Sequence, residues 1–198
     1  MKTLVLWMSV LSLGVMCSGA PIFFDDFNGE NGGTGVLNYA DFANWDVSDG
    51  TVDLIGNGFH DFLPGNGLYV DMDGSTNNAG KMLTSQVISL QAGTYELSYM
   101  LAGNRRNGNV EAVDVEVTVG IFTASHSLTQ NAPFTLFTQQ FTLLSAQDVA
   151  ISFAGVGGDN IGMLLDNVKL SAVPAPGAIL LAGLGTSLVG WLRRRRAL

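Results

Sequence analysis

The carboxylates are the most numerous side chains in this sequence that can do chemistry. The chain of 198 residues holds 17 aspartates and glutamates, all within residues 25–166. Two carboxylates can hydrolyse a glycosidic bond when they lie about 5–9.5 Å apart in space. The sequence shows no local signature of such a pair, and its two histidines, His60 and His126, belong to no recognisable triad or metal motif. We therefore predict no catalytic residue, and a glycan hydrolase or lyase is the least favoured alternative.

The same acids give the central part of the chain a strong negative charge. Residues 21–173 carry a net charge of −13, because only four basic residues oppose the acids there: Lys81, Arg105, Arg106 and Lys169. Such a field repels nucleic acid and anionic lipid, and it attracts divalent cations. The only cysteine, Cys17, lies in a segment that we expect to be removed. No disulfide and no cysteine site is therefore expected.

Two further groups of side chains can contact a ligand. The aromatic candidates for stacking on a sugar are Tyr39, Trp45, Phe59 and Tyr69. Trp45 shares a strand face with Val47, and Tyr69 lies within an apolar run, so packing in the core is the favoured interpretation for both. The adjacent pair Arg105 and Arg106 can bind a carboxylate or an acidic sugar. A solvated hairpin tip is favoured over that reading.

The elements that position these side chains are short strands. Residues 113–121 alternate between valine or isoleucine and polar side chains, and residues 94–101 alternate in the same way. Six further strands are predicted at residues 51–55, 68–72, 82–90, 134–143, 149–153 and 162–170. Turn dipeptides such as Asp49-Gly50 and Asn107-Gly108 separate them. No long segment keeps helical periodicity, so the prediction is an all-β fold, an antiparallel β-sandwich over residues 21–172.

Three segments of this domain resemble the galactose-binding-like jelly roll of carbohydrate-binding modules. They are FFDDFN at residues 23–28, LQAGTYELSY at 90–99 and LLDNVKL at 164–170. The resemblance implies a structural calcium ion held by Asp25 or Asp26 together with Asp166. A regular last strand would also place Asp166 on one face with Leu164, Val168 and Leu170, where an acid needs a partner. Calcium is therefore the expected cofactor.

Both ends of the sequence carry targeting patterns. Residues 1–20 combine Lys2, an apolar run and a small-residue cleavage zone, which predicts a signal peptide. Residues 177–192 contain no charged side chain, and four arginines follow: Arg193, Arg194, Arg195 and Arg196. This pattern predicts a single transmembrane helix whose basic end stays in the cytoplasm.

Residues 173–198 also resemble the PEP-CTERM sorting signal of Gram-negative bacteria. The resemblance rests on Val173, Pro174 and Pro176, on the short apolar run, and on the arginine cluster at residues 193–196. Ala175 stands where that family usually has glutamate, as in its Pro-Ala-Pro or VPLPA-like variants. The resemblance implies an exosortase as the processing enzyme, a transient anchor in the inner membrane, and a final location at the cell surface or in the extracellular matrix.

The sequence therefore favours an exported, non-catalytic protein of the cell envelope or matrix that is associated with exopolysaccharide. The alternative is a carbohydrate-binding module with a defined glycan ligand. An exposed row of aromatic side chains would favour that alternative.

Overall fold

A computed structural model describes residues 20–76, 78–174 and 177 of the chain. Residues 20–173 form a compact unit with its own hydrophobic core. Apart from Ala20 and Gly177, the predicted signal peptide, the predicted helix at residues 177–192 and the arginine cluster lie outside the described residues. Within the described part, no helix is long and apolar enough to cross a membrane.

Short strands make up nearly all of the regular structure. The described part contains thirteen: β1 (Phe23–Asp25), β2 (Trp45–Ser48), β3 (Asp53–Gly56), β4 (Leu68–Asp71), β5 (Lys81–Thr84), β6 (Ile88–Leu90), β7 (Gly93–Ala102), β8 (Val110–Val117), β9 (Phe122–Thr129), β10 (Thr135–Leu143), β11 (Gln147–Val149), β12 (Ile151–Val156) and β13 (Leu164–Ala172). Between them lie one 3-10 turn, Glu30–Gly33, and one helical turn, α1 (Thr118–Ile121).

The strands form two antiparallel sheets whose apolar faces meet. Sheet A has the order β10-β7-β13-β4-β3, with β1 paired to β13, and sheet B has the order β2-β5-β12-β8-β9. A small separate ladder joins β6 and β11. The core between the sheets is built from alternate residues of each strand, such as Tyr99 and Leu101 in β7 and Val115 and Val117 in β8. The predicted β-sandwich is thus confirmed.

The strand predicted at residues 113–121 extends beyond the C-terminal end of the observed strand β8. β8 ends at Val117, and the chain reverses through the helical turn α1 into β9, which the sequence analysis did not predict. Thr118 has a positive φ of 32° at this reversal. The alternation continues across the turn, which lacks an Asn-Gly or Asp-Gly pair, so the pattern gives no signal for it. Strand β1 was not among the eight predicted strands, β2 was indicated only by the shared face of Trp45 and Val47, and the strand predicted at residues 82–90 is divided into β5 and β6.

The last strand, β13, contains a β-bulge that changes which residues share a face. Its register to β7 shifts between Asp166 and Lys169, and Asn167 has a φ of 51°. Leu165, Val168 and Leu170 all face the main core as a result. The expectation that Val168 and Leu170 share the face of Asp166 is therefore wrong, because the extra residue in the bulge reverses the alternation.

The facing of β8 can be tested with one buried and one outward substitution. Val117 is fully buried, so Val117→Asp places an unpaired charge in the core and is expected to destabilise residues 21–173 by about 3–5 kcal/mol. Glu116 points away from the core, so Glu116→Gln is expected to change stability by less than about 0.5 kcal/mol. Urea denaturation of both variants measures the difference, and equal effects would contradict the facing.

Candidate functional site

A loop at residues 57–67 covers part of the outer face of sheet A. It joins β3 to β4 and contributes Phe59, Phe62 and Leu63 to a second, smaller apolar cluster. The buried Tyr69 fixes the loop, since its hydroxyl accepts the Leu63 amide at 2.9 Å and donates to Asp61 Oδ1 at 3.1 Å. Burial raises the pKa of Tyr69 to about 12, so this hydroxyl stays a donor at any physiological pH.

An ion pair lies beside this loop. Arg106 Nη2 contacts Asp71 Oδ2, and Asp71 Oδ1 accepts the amides of Asp73 at 3.1 Å and Gly162 at 2.8 Å. A Cβ atom at Gly162 would lie 2.6 Å from Asp71 Oδ1, so glycine allows this close approach. The Asp71 side chain is 2% exposed and that of Arg106 is 26% exposed. The pair is therefore anchored inside the protein while part of the guanidinium reaches solvent.

The loop that carries Arg106 is held by Asn104, which is buried. Asn104 Oδ1 accepts the amides of Arg106 at 2.8 Å and Asn107 at 3.1 Å, and its Nδ2 donates to Glu111 Oε1 at 2.8 Å. The guanidinium of Arg106 lies 5.2 Å from the centroid of the Phe62 ring, a cation–π contact. Both loops thus hold the arginine in one position before any ligand arrives.

These groups line a small cleft on the outer face of sheet A, which we call the Arg106 cleft. Its volume is about 70 Å³, and its lining residues are Leu37, Asp53, Ile55, His60, Phe62, Asp71, Ser75 and Arg106. Asp53 is paired with Asp71 across β3 and β4. Its Oδ1 accepts the amides of Asn38 and Ser75, and its Oδ2 accepts the Ser75 hydroxyl at 2.9 Å. The cleft combines an aromatic ring, an imidazole, a hydroxyl and a guanidinium.

The electrostatics of the Arg106 cleft do not favour an anionic ligand. Burial raises the pKa of Asp71 to about 8, against the opposing effect of Arg106 and of two backbone amides. With Asp71 protonated, the charges of Asp53 and Arg106 cancel, and with Asp71 ionised the cleft carries one net negative charge. In neither state does it present net positive charge.

The predictions for individual aromatic and basic residues have different outcomes. Trp45 and Tyr69 are buried, as predicted. Tyr39 packs at 4.6 Å against Phe42, and Phe59 belongs to the outer apolar cluster. Arg106 is not a solvated hairpin tip, because its guanidinium donates to Asp71, which lies 35 residues earlier in the chain. Arg105 donates to the carbonyl of Asn131 instead.

The sequence analysis did not single out Phe62 or Asp53 for the cleft. Phe62 is one of 11 phenylalanines, and Asp53 is one of many acids that precede a turn or strand. The one available signal was the length of the Gly- and Asn-containing loop at residues 57–67, since long loops often carry function.

The two histidines lie in different surroundings. His60 is exposed and lines the Arg106 cleft. His126 lies between the sheets, where its Nε2 is 2.7 Å from the Tyr99 hydroxyl and its ring centroid is 4.3 Å from that of Phe137. Burial lowers the pKa of His126. Neither arrangement is a catalytic triad.

A larger hollow of about 260 Å³ lies near β1. It is lined by Ile22, Phe23, Asn44, Thr84, Ser85, Gln86, Val87 and Ile88. No charged side chain is among these residues, and the one aromatic ring, Phe23, packs edge-on against Trp45 at 5.3 Å. The Arg106 cleft has the more specific set of polar groups and is the better candidate site.

The acids predicted to bind calcium lie on or beside neighbouring strands, since Asp25 of β1 pairs with Val168 of β13, and the charges of Asp26 and Asp25 raise the pKa of Asp166. Asp25 accepts the Phe27 amide and the Trp45 indole N–H, and Asp166 accepts the backbone and side-chain N–H groups of Asn167. Within the described residues, no three His, Cys, Asp or Glu side chains are grouped as metal ligands. These donors satisfy the carboxylates without an ion, and calcium binding stays a prediction.

No protein-family model and no curated protein matches this sequence. Among solved structures, the CBM22-1 xylan-binding domain of Xyn10C from Paenibacillus barcinonensis matches 80% of this chain and 97% of that chain, with 12% identity and a TM-score of 0.53. A family 35 carbohydrate-binding module from Clostridium thermocellum matches 69% of this chain and 97% of that chain, with 13% identity and a TM-score of 0.44.

The C-terminal CBM6 of LamC from Zobellia galactanivorans matches 70% of this chain and 99% of that chain, with 16% identity and a TM-score of 0.43. Of these three likenesses, only that to the CBM22-1 domain has a TM-score above 0.5. It shows that residues 20–173 share the jelly-roll fold of a carbohydrate-binding module.

The buried Asp166 generates a prediction about pH. Burial, followed by the charges of Asp26 and Asp25, raises its pKa in the folded protein to about 7 from an ordinary value of 3.8. The folded state therefore holds this proton more tightly than the unfolded state does. Its stabilising effect is complete below about pH 4 and is lost as the pH rises through 7.

Urea denaturation in EDTA at pH 4.5 and 7.5 measures this effect. Asp166→Asn is expected to reduce the fall in stability between the two pH values by at most about 4 kcal/mol, since each pKa unit corresponds to about 1.4 kcal/mol. Identical falls in the two proteins would contradict it. Calcium binding is tested by melting curves at pH 7.5 with millimolar calcium. Calcium is expected to raise the melting temperature of the wild type and not that of Asp166→Asn.

Proposed function

We propose that residues 21–173 form a non-catalytic domain that binds a neutral glycan in the Arg106 cleft. The observation that carries the proposal is the partly exposed guanidinium of Arg106, which contacts Asp71 on one side and the Phe62 ring on the other. Its side chain is 26% exposed, so N–H groups at the end of the guanidinium remain for a ligand oxygen, whereas its Nε is buried and has no hydrogen-bond partner among the described residues. Sugar sites combine such fixed donors with an aromatic surface.

A neutral ligand follows from the charges. The cleft has no net positive charge, and the surrounding domain carries −13. A uronate or a sulfated sugar would approach against this field. Hydroxyl groups can accept from Arg106 and donate to carboxylate or hydroxyl oxygens without such repulsion. The acidic-sugar ligand considered for the arginine pair is therefore not favoured.

The state of its two carboxylates supports a binding role, not a catalytic role, for the Arg106 cleft. Asp71 is nearly inaccessible and is occupied by Arg106 and two amides. Asp53 is buried and accepts three hydrogen bonds from Asn38 and Ser75. A glycosidase needs one carboxyl group to protonate the leaving oxygen and a second to attack or to activate water. Neither aspartate reaches a substrate in the cleft in that way.

The route by which the domain reaches a glycan is a proposal from the sequence. A signal peptide at residues 1–20 would export it, and residues 173–198 would anchor it briefly before an exosortase removes the anchor. The mature domain would then be displayed at the cell surface or in the matrix, in contact with extracellular polysaccharide. A structural calcium ion at Asp166 with Asp25 or Asp26 belongs to the same proposal and adds stability only.

Glycan binding can be tested with residues 21–173 on an array of neutral and acidic oligosaccharides that includes xylo-oligosaccharides. The best ligand is then titrated calorimetrically against Arg106→Lys and Phe62→Ala. Each is expected to weaken binding about 10–100-fold, since the first removes a fixed charged hydrogen bond and the second removes the aromatic surface.

Arg105→Ala is the matched control, because Arg105 is the neighbouring arginine and does not line the cleft. It is expected to change the affinity less than about twofold, whereas a tenfold change corresponds to roughly 1.4 kcal/mol of binding free energy. Melting curves confirm that each variant is folded. A domain that binds no glycan on the array, or one that binds equally well without Phe62, would refute the proposed site.

The sorting proposal is tested separately by the intact mass of the cell-associated protein from its native host. Two cleavages are expected, one near residue 20 and one between Val173 and the arginine cluster. A stable species that still contains residues 193–196 would rule out exosortase processing and leave the glycan proposal intact.

A further inference from the structure

Two long strands on one side of the sandwich have a free edge. Strand β9 ends sheet B and pairs only with β8, and strand β10 ends sheet A and pairs only with β7, within the described residues. Contact between His126 and Phe137 shows that the two strands lie against each other. A free edge offers a row of unpaired N–H and C=O groups to another strand.

This side of the protein lacks the usual protection against such pairing. Soluble proteins protect edge strands with charged side chains, proline or bulges. Here no Asp, Glu, Lys or Arg occurs between Glu116 and Asp148, although the domain carries 17 acids. The opposite edge of sheet B, strand β2, carries the exposed Asp46. The longest uncharged segment of the domain therefore lies on the side that holds β9 and β10.

The sequence of β9 is complementary to itself when reversed. In an antiparallel pair of two β9 strands centred on His126, Thr123 lies opposite Thr129 and Ser125 lies opposite Ser127. These four side chains are all exposed on the outer face. The Ser125 hydroxyl donates to Asp114 of β8 and can accept from Ser127 of the second copy. Hydroxyl pairs of this kind stabilise antiparallel strands. On the inner face Ala124 lies opposite Leu128, so apolar side chains also meet.

Strand β10 is less well matched to itself. Centred on Gln139, an antiparallel pair places Leu136 opposite Thr142 and Thr138 opposite Gln140 on the outer face. The exposed Leu136 would then face a polar side chain. A two-fold interface requires each residue to suit its own symmetry partner, and β9 meets that requirement at more positions.

We propose that two copies of this protein pair through β9, antiparallel and in register about His126, so that sheet B continues from one copy into the other. A second copy is the partner favoured by the charge distribution. Two domains of net charge −13 repel each other through their acidic faces. Strand β9 itself carries no charge, and its nearest acids, Asp114 and Glu116, lie one strand away on β8, so the repulsion is reduced on this side. The strand's self-complementarity then sets the orientation.

Sedimentation of residues 21–173 tests the pairing, since these residues hold their own core. The wild type is expected to dimerise at concentrations up to the millimolar range. Ser127→Lys places two charges at the interface and is expected to give a monomer. Thr138→Lys makes the same change on β10, and this variant is expected to remain dimeric. A monomeric wild type, a dimer that survives Ser127→Lys, or a dimer lost in Thr138→Lys overturns the proposal.

The register is tested by oxidative crosslinking, because residues 21–173 contain no cysteine. In the variant Ser125→Cys/Ser127→Cys, each cysteine lies opposite a cysteine of the other copy at about 4.5–5.5 Å between Cα atoms, within the range of a disulfide. A covalent dimer is expected on a non-reducing gel. The control Thr123→Cys/Ser125→Cys has two cysteines on the same face, but neither lies opposite a cysteine of the other copy. It is expected to run as a monomer on the same gel. Equal crosslinking in the two variants, or none in the first, overturns the register.

Discussion

The fold depends on buried carboxylates that accept N–H groups from loops. Asp25, Asp53 and Asp71 are each nearly inaccessible, and each accepts two or more hydrogen bonds from residues outside its own strand. Glu30 holds the Ala43 amide in the same way. When such a carboxyl group is ionised, its hydrogen bonds from backbone amides are charge-assisted and stronger than neutral ones. In a domain without disulfides, these contacts fix the loops against the sandwich.

This constraint explains why the Arg106 cleft is preformed. Removing Asp71 would leave Arg106 without its ion-pair partner and the Gly162 amide without its acceptor. Removing Arg106 would leave a buried aspartate that is harder to ionise. Because Asn104 and Phe62 also restrain the arginine, little conformational entropy remains to be lost when a ligand binds. The rigidity needed for recognition and the rigidity of the fold have the same origin.

The sequence predicted those features that depend on local alternation and missed those that depend on distant partners. Strands β7 and β8 alternate strictly, so their buried residues, such as Tyr99 and Val115, follow from period two. The bulge at Asn167 and the turn after Val117 interrupt strands in which the sequence alternation continues on either side. Nothing local distinguishes Arg106, held by Asp71, from Arg105, which is held at the surface by Asn131. Their different roles exist only once β4 and the loop after β7 are brought together.

Pairing through β9 and binding in the Arg106 cleft would use opposite sides of the domain. The cleft lies over β3 and β4, at one end of the strand order of sheet A, whereas β10 and the adjacent β9 lie at the other end. A dimer would therefore leave both clefts open. Polysaccharides repeat the same unit, so a dimer with two clefts can bind one chain twice and gain about 10²–10⁴ in apparent affinity without any new contact. A shallow cleft with few contacts is then sufficient for retention on a polymer, because the second cleft binds at a high effective concentration once the first is occupied.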